Sequence, residues 1–254
     1  LFFSTIKGVY DLTIVEDEIK INDNFFKNEI VSKTIIDFNK NYWFTTTNNG
    51  IFIVPNIAVK KYDLHVENAT ISCVTNFEEK TIYGTSKGEL VFLNKEKIIE
   101  GRIQLNDKIK VTALGVDLNG DNLFVSTENN AYIYSFKSNK IITSKYFINA
   151  KQLQFNNKNE LLYTSFDRAE VLRFSSFQLI NQKILNKKRA YNSLINSVSN
   201  DLYVAYVDEL IKYDENYTTS KITIKGEQIN AIDIAKTNNN VIWIGTFNKG
   251  LIGL

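Results

Sequence analysis

The chain has 254 residues with 30 basic and 28 acidic side chains, a net charge of +2, and 44% hydrophobic and 13% aromatic residues. Near-balanced charge excludes a general pull toward nucleic acid or anionic lipid, and the length is enough to bury a sizeable core. A single Cys excludes an intrachain disulfide framework, a single His excludes a multi-His zinc centre, and no apolar run reaches the roughly 20 residues of a membrane-spanning helix.

One hairpin pattern recurs along the chain: an apolar or aromatic strand ending in Thr or Ser, a short polar turn, then a second apolar strand. The first copy, residues 1–5, turns at Gly8, and the second, Trp43-Phe44-Thr45-Thr46-Thr47, turns at Gly50. The third, Ile82-Tyr83-Gly84-Thr85, turns at Gly88, and the fourth, residues 123–127, turns near Asn130. Residues 161–165 turn near Arg168, residues 202–205 near Asp208, and Val241-Ile242-Trp243-Ile244-Gly245-Thr246 at Gly250. Successive turns lie 42, 38, 42, 38, 40 and 42 residues apart. Each interval holds two further strand-like runs, such as residues 61–66 before 69–74, and 141–147 before 152–155. Each period therefore contains about four short strands, the size of a propeller blade.

A four-stranded blade has two apolar faces and cannot bury both alone, whereas blades stacked in a ring bury them and leave few open edges. The spacing predicts an all-β propeller of four-stranded blades, seven in number with six as the alternative, in one domain over residues 1–254. The approximate blades are 1–30, 31–67, 68–108, 109–148, 149–187, 188–225 and 226–254. With strands lettered a to d from the axis outward, the repeated hairpin is b–c, so the first blade lacks a and the last lacks d. The chain holds no Met and opens in mid-strand, so it is expected to be a piece of a longer protein. Residues 181–195, the best helical stretch, show no 3.6-residue period.

Few residues invite chemistry. His65 lies in a run that reads as a solvent-edge outer strand, and Cys73 in an inner apolar strand reads as a small buried hydrophobe with no base beside it. Asp117, Asn119 and Asp121, with Glu128 beyond, imitate the first half of a calcium loop, but Asn122 stands where the sharp turn needs Gly. A hairpin turn explains the segment, and no metal and no cofactor are expected. Trp43 and Trp243 read as packing between neighbouring blades rather than as sugar platforms. In a propeller the b–c and d–a loops share one face. There the chain offers Lys7, Asn48, Asn49, Lys87, Asn129, Arg168, Asp208 and Lys249, a polar and mildly cationic set suited to an anionic or hydroxyl-rich ligand or to a protein partner.

The last hairpin, from Val241 through Trp243, Gly245 and Thr246 to Gly250-Leu251, resembles the two-component regulator propeller repeat: apolar-Trp-Ile-Gly-Thr, two or three polar residues, then Gly-Leu. The second copy resembles it with the strand Gly lost, the third matches less, and the fourth to sixth lack the turn Gly. The resemblance implies a bacterial extracytoplasmic (periplasmic or cell-surface) sensor propeller of a hybrid histidine kinase, often glycan-sensing, and so a ligand-binding or signalling module without catalysis. A glycan or other small polar ligand, a protein partner or a homodimer is then expected, nucleic acid is not, and any membrane contact lies in segments outside this chain. The rival expectations are a protein-docking scaffold propeller of secretion or surface machinery and, third, a propeller lyase or hydrolase.

Overall fold

The computed structural model describes residues 2–15, 18–38, 40–54, 69–237 and 240–254, so His65 lies outside the described residues. The chain forms two compact units, residues 1–63 and 64–254. Among the described residues every regular element is a β-strand, and no helix is long and apolar enough to cross a membrane.

The first unit holds two three-stranded antiparallel sheets. One orders β1 (Phe2–Thr5), β2 (Gly8–Val15) and β3 (Glu18–Phe25), and the other β4 (Val31–Ile36), β5 (Tyr42–Thr46) and β6 (Ile51–Val54). Between them lies one layer built on Val9, Val31 and Phe44, with Phe2, Phe26 and Phe52 packed against it.

The second unit holds five antiparallel sheets among its described residues. The first runs β7 (Ile71–Phe77), β8 (Lys80–Thr85), β9 (Glu89–Leu93) and β10 (Ile99–Gln104); the next runs β11 (Val111–Val116), β12 (Asn122–Thr127), β13 (Ala131–Ser135) and β14 (Lys140–Ser144). Then follow β15 (Gln152–Phe155), β16 (Leu161–Thr164), β17 (Ala169–Ser175) and β18 (Gln178–Asn186). The fourth sheet comprises β19 (Ala190–Ile195), β20 (Leu202–Tyr206), β21 (Leu210–Tyr213), β22 (Thr219–Ile224) and the two-residue β23 (Glu227–Gln228). The fifth has β24 (Ala231–Lys236), β25 (Ile242–Thr246) and β26 (Leu251–Gly253). The first strands β7, β11, β15, β19 and β24 contact one another in sequence, which is the inner-strand packing of a β-propeller. Residues 181–195 fall on β18 and β19 rather than on a helix.

Period-2 alternation explains why the b strands are apolar throughout. On β12, Leu123 and Val125 enter the layer shared with the preceding sheet while Phe124 enters the layer shared with the next. Leu161 and Leu162 divide in the same way, as do Leu202 and Tyr203. Each such strand is buried on both faces, so it carries no polar alternation.

The turn chemistry is equally regular. The terminal Thr of strand b clamps the b–c turn with its hydroxyl: Thr46 Oγ1 donates to Gly50 O and accepts from Asn49 N, and Thr127 and Thr246 repeat both contacts. The turns at Gly50, Gly88 and Gly250 span five residues and place that Gly at φ near +70°. The turns of the fourth to sixth hairpins are one residue shorter, closing between Thr127 and Asn130, Ser165 and Arg168, and Tyr206 and Glu209. No residue in them has positive φ, and so no Gly is required. At the other end of the sheets an Asx oxygen accepts the amide four residues on, as in Asp37–Asn41, Asn94–Ile98, Asp117–Asp121, Asn156–Glu160 and Asp214–Thr218.

Candidate functional site

Each end of the sheets presents a different surface. At the b–c end, the turn binds the residue that precedes strand a of the same sheet: Ser86 N donates to Thr70 O, Glu128 N to Lys110 O, Val207 N to Arg189 O and Phe247 N to Asn230 O, at 2.8–3.3 Å. Thr47 N donates to Ile30 O in the first unit at 3.1 Å. Strand-a entries and b–c turns therefore form one loop end within each unit, which carries Lys7, Asn48 and Asn49 in the first and Lys87, Asn129, Arg168, Asp208 and Lys249 in the second.

Most of the charge on these predicted residues is already matched. Arg168 makes two bonds to the Asp167 carboxylate, at 2.8 and 2.9 Å, and one to Glu170 at 3.1 Å. The Arg168 hydrogen bonds hold the Asp167 carboxyl below its ordinary value, and Asp167 in turn holds the guanidinium above its own. Lys188 bridges Asp208 and Glu209 at 3.0 and 2.7 Å, and Lys249 pairs with Glu227. Asn49 Nδ2 donates to both carboxylate oxygens of Glu29, while the amides of Lys7 and Lys87 bond the clamping Thr5 and Thr85. Within this set, neighbouring acids offset the charge of Arg168 and Lys249. Arg168 lines a cavity of about 200 Å³ with Lys145, Tyr146, Tyr163, Glu170 and Gln182.

The calcium-like segment is a closed turn. Both Asp117 oxygens are occupied, one by the amides of Asp121 and Asn122 and the other by Asn122 Nδ2, at 2.8–3.1 Å. Glu128 lies beyond the whole of β12, about 20 Å of extended chain away. Among the described residues no group of three His, Cys, Asp or Glu side chains is placed to hold a metal. Gly120, at φ +68°, sits against Phe77, whose ring would lie 1.8 Å from an added Cβ.

Cys73 stands opposite Gly84 on β8, and burial pushes its thiol up to about 11. Trp43 Nε1 donates to Asp37 at 2.9 Å, and Trp243 is 37% exposed and lies against Gly253. Neither Trp joins a core layer among the described residues, contrary to expectation. On β25, Ile242 and Ile244 point to the preceding sheet, so Trp243 takes the other face, which no further sheet among the described residues of its unit covers.

At the opposite end, the last residues of β7, β11, β15 and β19 line a cavity of about 390 Å³ that includes Thr75, Asn76, Gly115, Leu153, Gln154 and Leu194. Gln154 Nε2 donates to Ser193 O at 3.3 Å, whereas its Oε1 is buried and accepts nothing. Sequence reasoning missed this residue, because one Gln on an apolar inner strand carries no motif. It also missed the repeated acid at the start of strand c. Glu89 pairs with Arg102 and Glu209 with Lys221, both cations on the adjoining strand d, and Glu170 accepts from Gln182 of its strand d.

No family model matches the chain, and no curated protein matches it in sequence. Solved structures do. The extracellular domain of the putative hybrid two component system BT4673 from B. thetaiotaomicron matches 99% of this chain at 15% identity with a TM-score of 0.62, over 33% of its own length. Virginiamycin B lyase from Staphylococcus aureus matches 98% of the chain and 92% of its own at 13% identity, TM-score 0.61. The Cps50 (Swd1) β-propeller domain of Myceliophteria thermophila matches 71% of the chain and 65% of its own at 12% identity, TM-score 0.55. The chain thus spans about a third of that extracellular domain. Sensor, lyase and scaffold-type propellers share this architecture, and the likeness shows the fold: a β-propeller.

Proposed function

We propose that the chain is a seven-bladed, non-catalytic binding propeller from the extracytoplasmic sensor region of a bacterial two-component regulator, and that it takes a small polar ligand such as a saccharide. The observation that carries this reading is the inner-strand cavity of about 390 Å³, where the polar side chains of Thr75, Asn76 and Gln154 stand beside Leu153 and Leu194. The Trp243-to-Leu251 repeat and the likeness to an extracellular two-component domain support the setting. The test is calorimetric titration of maltose, cellobiose, glucuronate and galacturonate into the wild type and Gln154→Leu. The expected result is one saccharide that binds, loses at least tenfold affinity in the variant, and is recovered chemically unchanged. No binding by any of the four would remove the saccharide reading.

A second reading, a protein-docking scaffold, is favoured by the first unit. There Ile14 and Ile19 stand directly opposite on the β2–β3 hairpin and are 59% and 67% exposed. Sedimentation velocity showing a dimer that Ile19→Lys disperses would support it.

A further inference from the structure

The residue immediately before strand a is a cation in three consecutive sheets of the second unit: Lys110 before β11, Lys151 before β15 and Arg189 before β19. These strands are neighbours, so the three positions form an arc at the b–c end of the inner strands. At this end Arg168, Lys188 and Lys249 meet acids, whereas among the described residues none of Lys110, Lys151 and Arg189 forms an ion pair. Lys151 and Arg189 instead share two rings. Lys151 Nζ lies 4.4 Å from the centroid of Phe166 and 5.1 Å from that of Tyr191, and Arg189 Cζ lies 5.2 Å from both.

Lys151 is held in place, since its Nζ donates to Ala190 O at 2.6 Å and its own amide to Thr164 O at 2.8 Å. Its ammonium is lowered from the ordinary lysine value, first by burial and then by the like charge of Arg189. Ring faces stabilise a cation modestly, but they do not remove the repulsion between two cations on the same rings. A single stacked Lys would suffice to fasten β15 to β19. The second cation, together with a Phe166 ring left 53% exposed, is what a purely structural role does not require.

We propose that Lys151 and Arg189, with Phe166 and Tyr191 as walls, form a binding site for an oxyanion carried on an apolar or aromatic body. The anionic oxygens meet the two cations on their solvent side, and the body lies along the exposed part of the Phe166 ring. This site lies at a different end of the inner strands from Gln154 and goes beyond the saccharide reading above.

The probes are benzoate, phenyl phosphate, inorganic phosphate and the uncharged benzyl alcohol, titrated by calorimetry at constant ionic strength. Benzoate or phenyl phosphate is expected to bind at least tenfold more tightly than benzyl alcohol and more tightly than inorganic phosphate. The tighter of the two identifies the carboxylate or the phosphate source. Lys151→Met with Arg189→Gln should reduce that binding at least tenfold, and Lys151→Arg with Arg189→Lys should restore most of it. Circular dichroism melting checks that each variant folds, and Phe166→Ser, at an exposed turn, offers a milder variant that should weaken benzoate while sparing inorganic phosphate. Benzoate and phenyl phosphate binding no better than benzyl alcohol, or unchanged binding in the folded double variant, would overturn the proposal. A saccharide bound through Gln154 in the same preparation would leave the broader binding reading standing.

Discussion

The two compact units are built from the same repeat yet bury it differently. In the second unit four apolar layers lie between five sheets, and strand b is buried on both faces, as Leu202, Val204 and Ala205 illustrate. In the first unit a single aromatic layer joins two sheets, and Ile35 and Ile36 of β4 and Ile51 and Ile53 of β6 are exposed. What is buried is therefore decided by the neighbouring sheet, and the repeat itself supplies only the apolar residues. Stability in such an array is a sum of nearest-neighbour interfaces, so a substitution should act through the layer it touches.

The largest expected effect is in a full layer. Phe124 packs against Phe147, Phe155 and Phe174 with centroids 4.9–5.6 Å away, so Phe124→Ala should cost about 3–5 kcal/mol in urea unfolding. Phe44→Ala in the first unit should act on the single layer there, and an equal loss of the whole transition for both variants would break the comparison. Next comes Gly120→Ala, which combines a left-handed φ with a collision against Phe77 and should cost about 1–3 kcal/mol. Thr127→Val removes a fully buried hydroxyl bonded to Asn130 O and Asp107, and about 1–2 kcal/mol is expected. The same change at Thr46, on an exposed turn, should cost well under about 1 kcal/mol.

Acid should reveal the paired loop end. Lys188 and Lys221 hold the Glu209 carboxyl below its ordinary value of 4.5, and Arg168 does the same for Asp167 below 3.8. A carboxyl depressed in the folded state contributes stability above its unfolded value and loses it as pH falls through the folded one. Stability should therefore decline below about pH 4.5, and Glu209→Gln should flatten that decline; an identical acid limb in the variant would contradict the pairing. Cys73, with its thiol near 11, should react with iodoacetamide far more slowly in the native protein than in urea at pH 7.5.

The architecture is legible in the sequence because its signals are local. The Thr clamp, the five-residue Gly turn and two-sided apolar strands each occupy fewer than about six residues and recur every forty or so. The missing Gly of the fourth to sixth hairpins looks like decay of the repeat, but it records a turn shortened by one residue. The sites were far less legible. The acidic partners of Arg168 and Lys249 lie one and 22 residues away, and nothing in the sequence marks either pairing. Gln154 depends on which atoms are left unpaired across β15 and β19. Lys110, Lys151 and Arg189 were visible in principle, since they share one repeat position, but only the stacking on Phe166 and Tyr191 joins two of them in space.

The most direct test of the claim that neighbouring sheets decide burial is native-state hydrogen exchange over the whole chain. The account predicts that amides of β12, β16 and β20 exchange only through global unfolding of their unit, and that those of the matching strands β1 and β5 exchange sooner through local opening. Equal or stronger protection of β1 and β5 would contradict it.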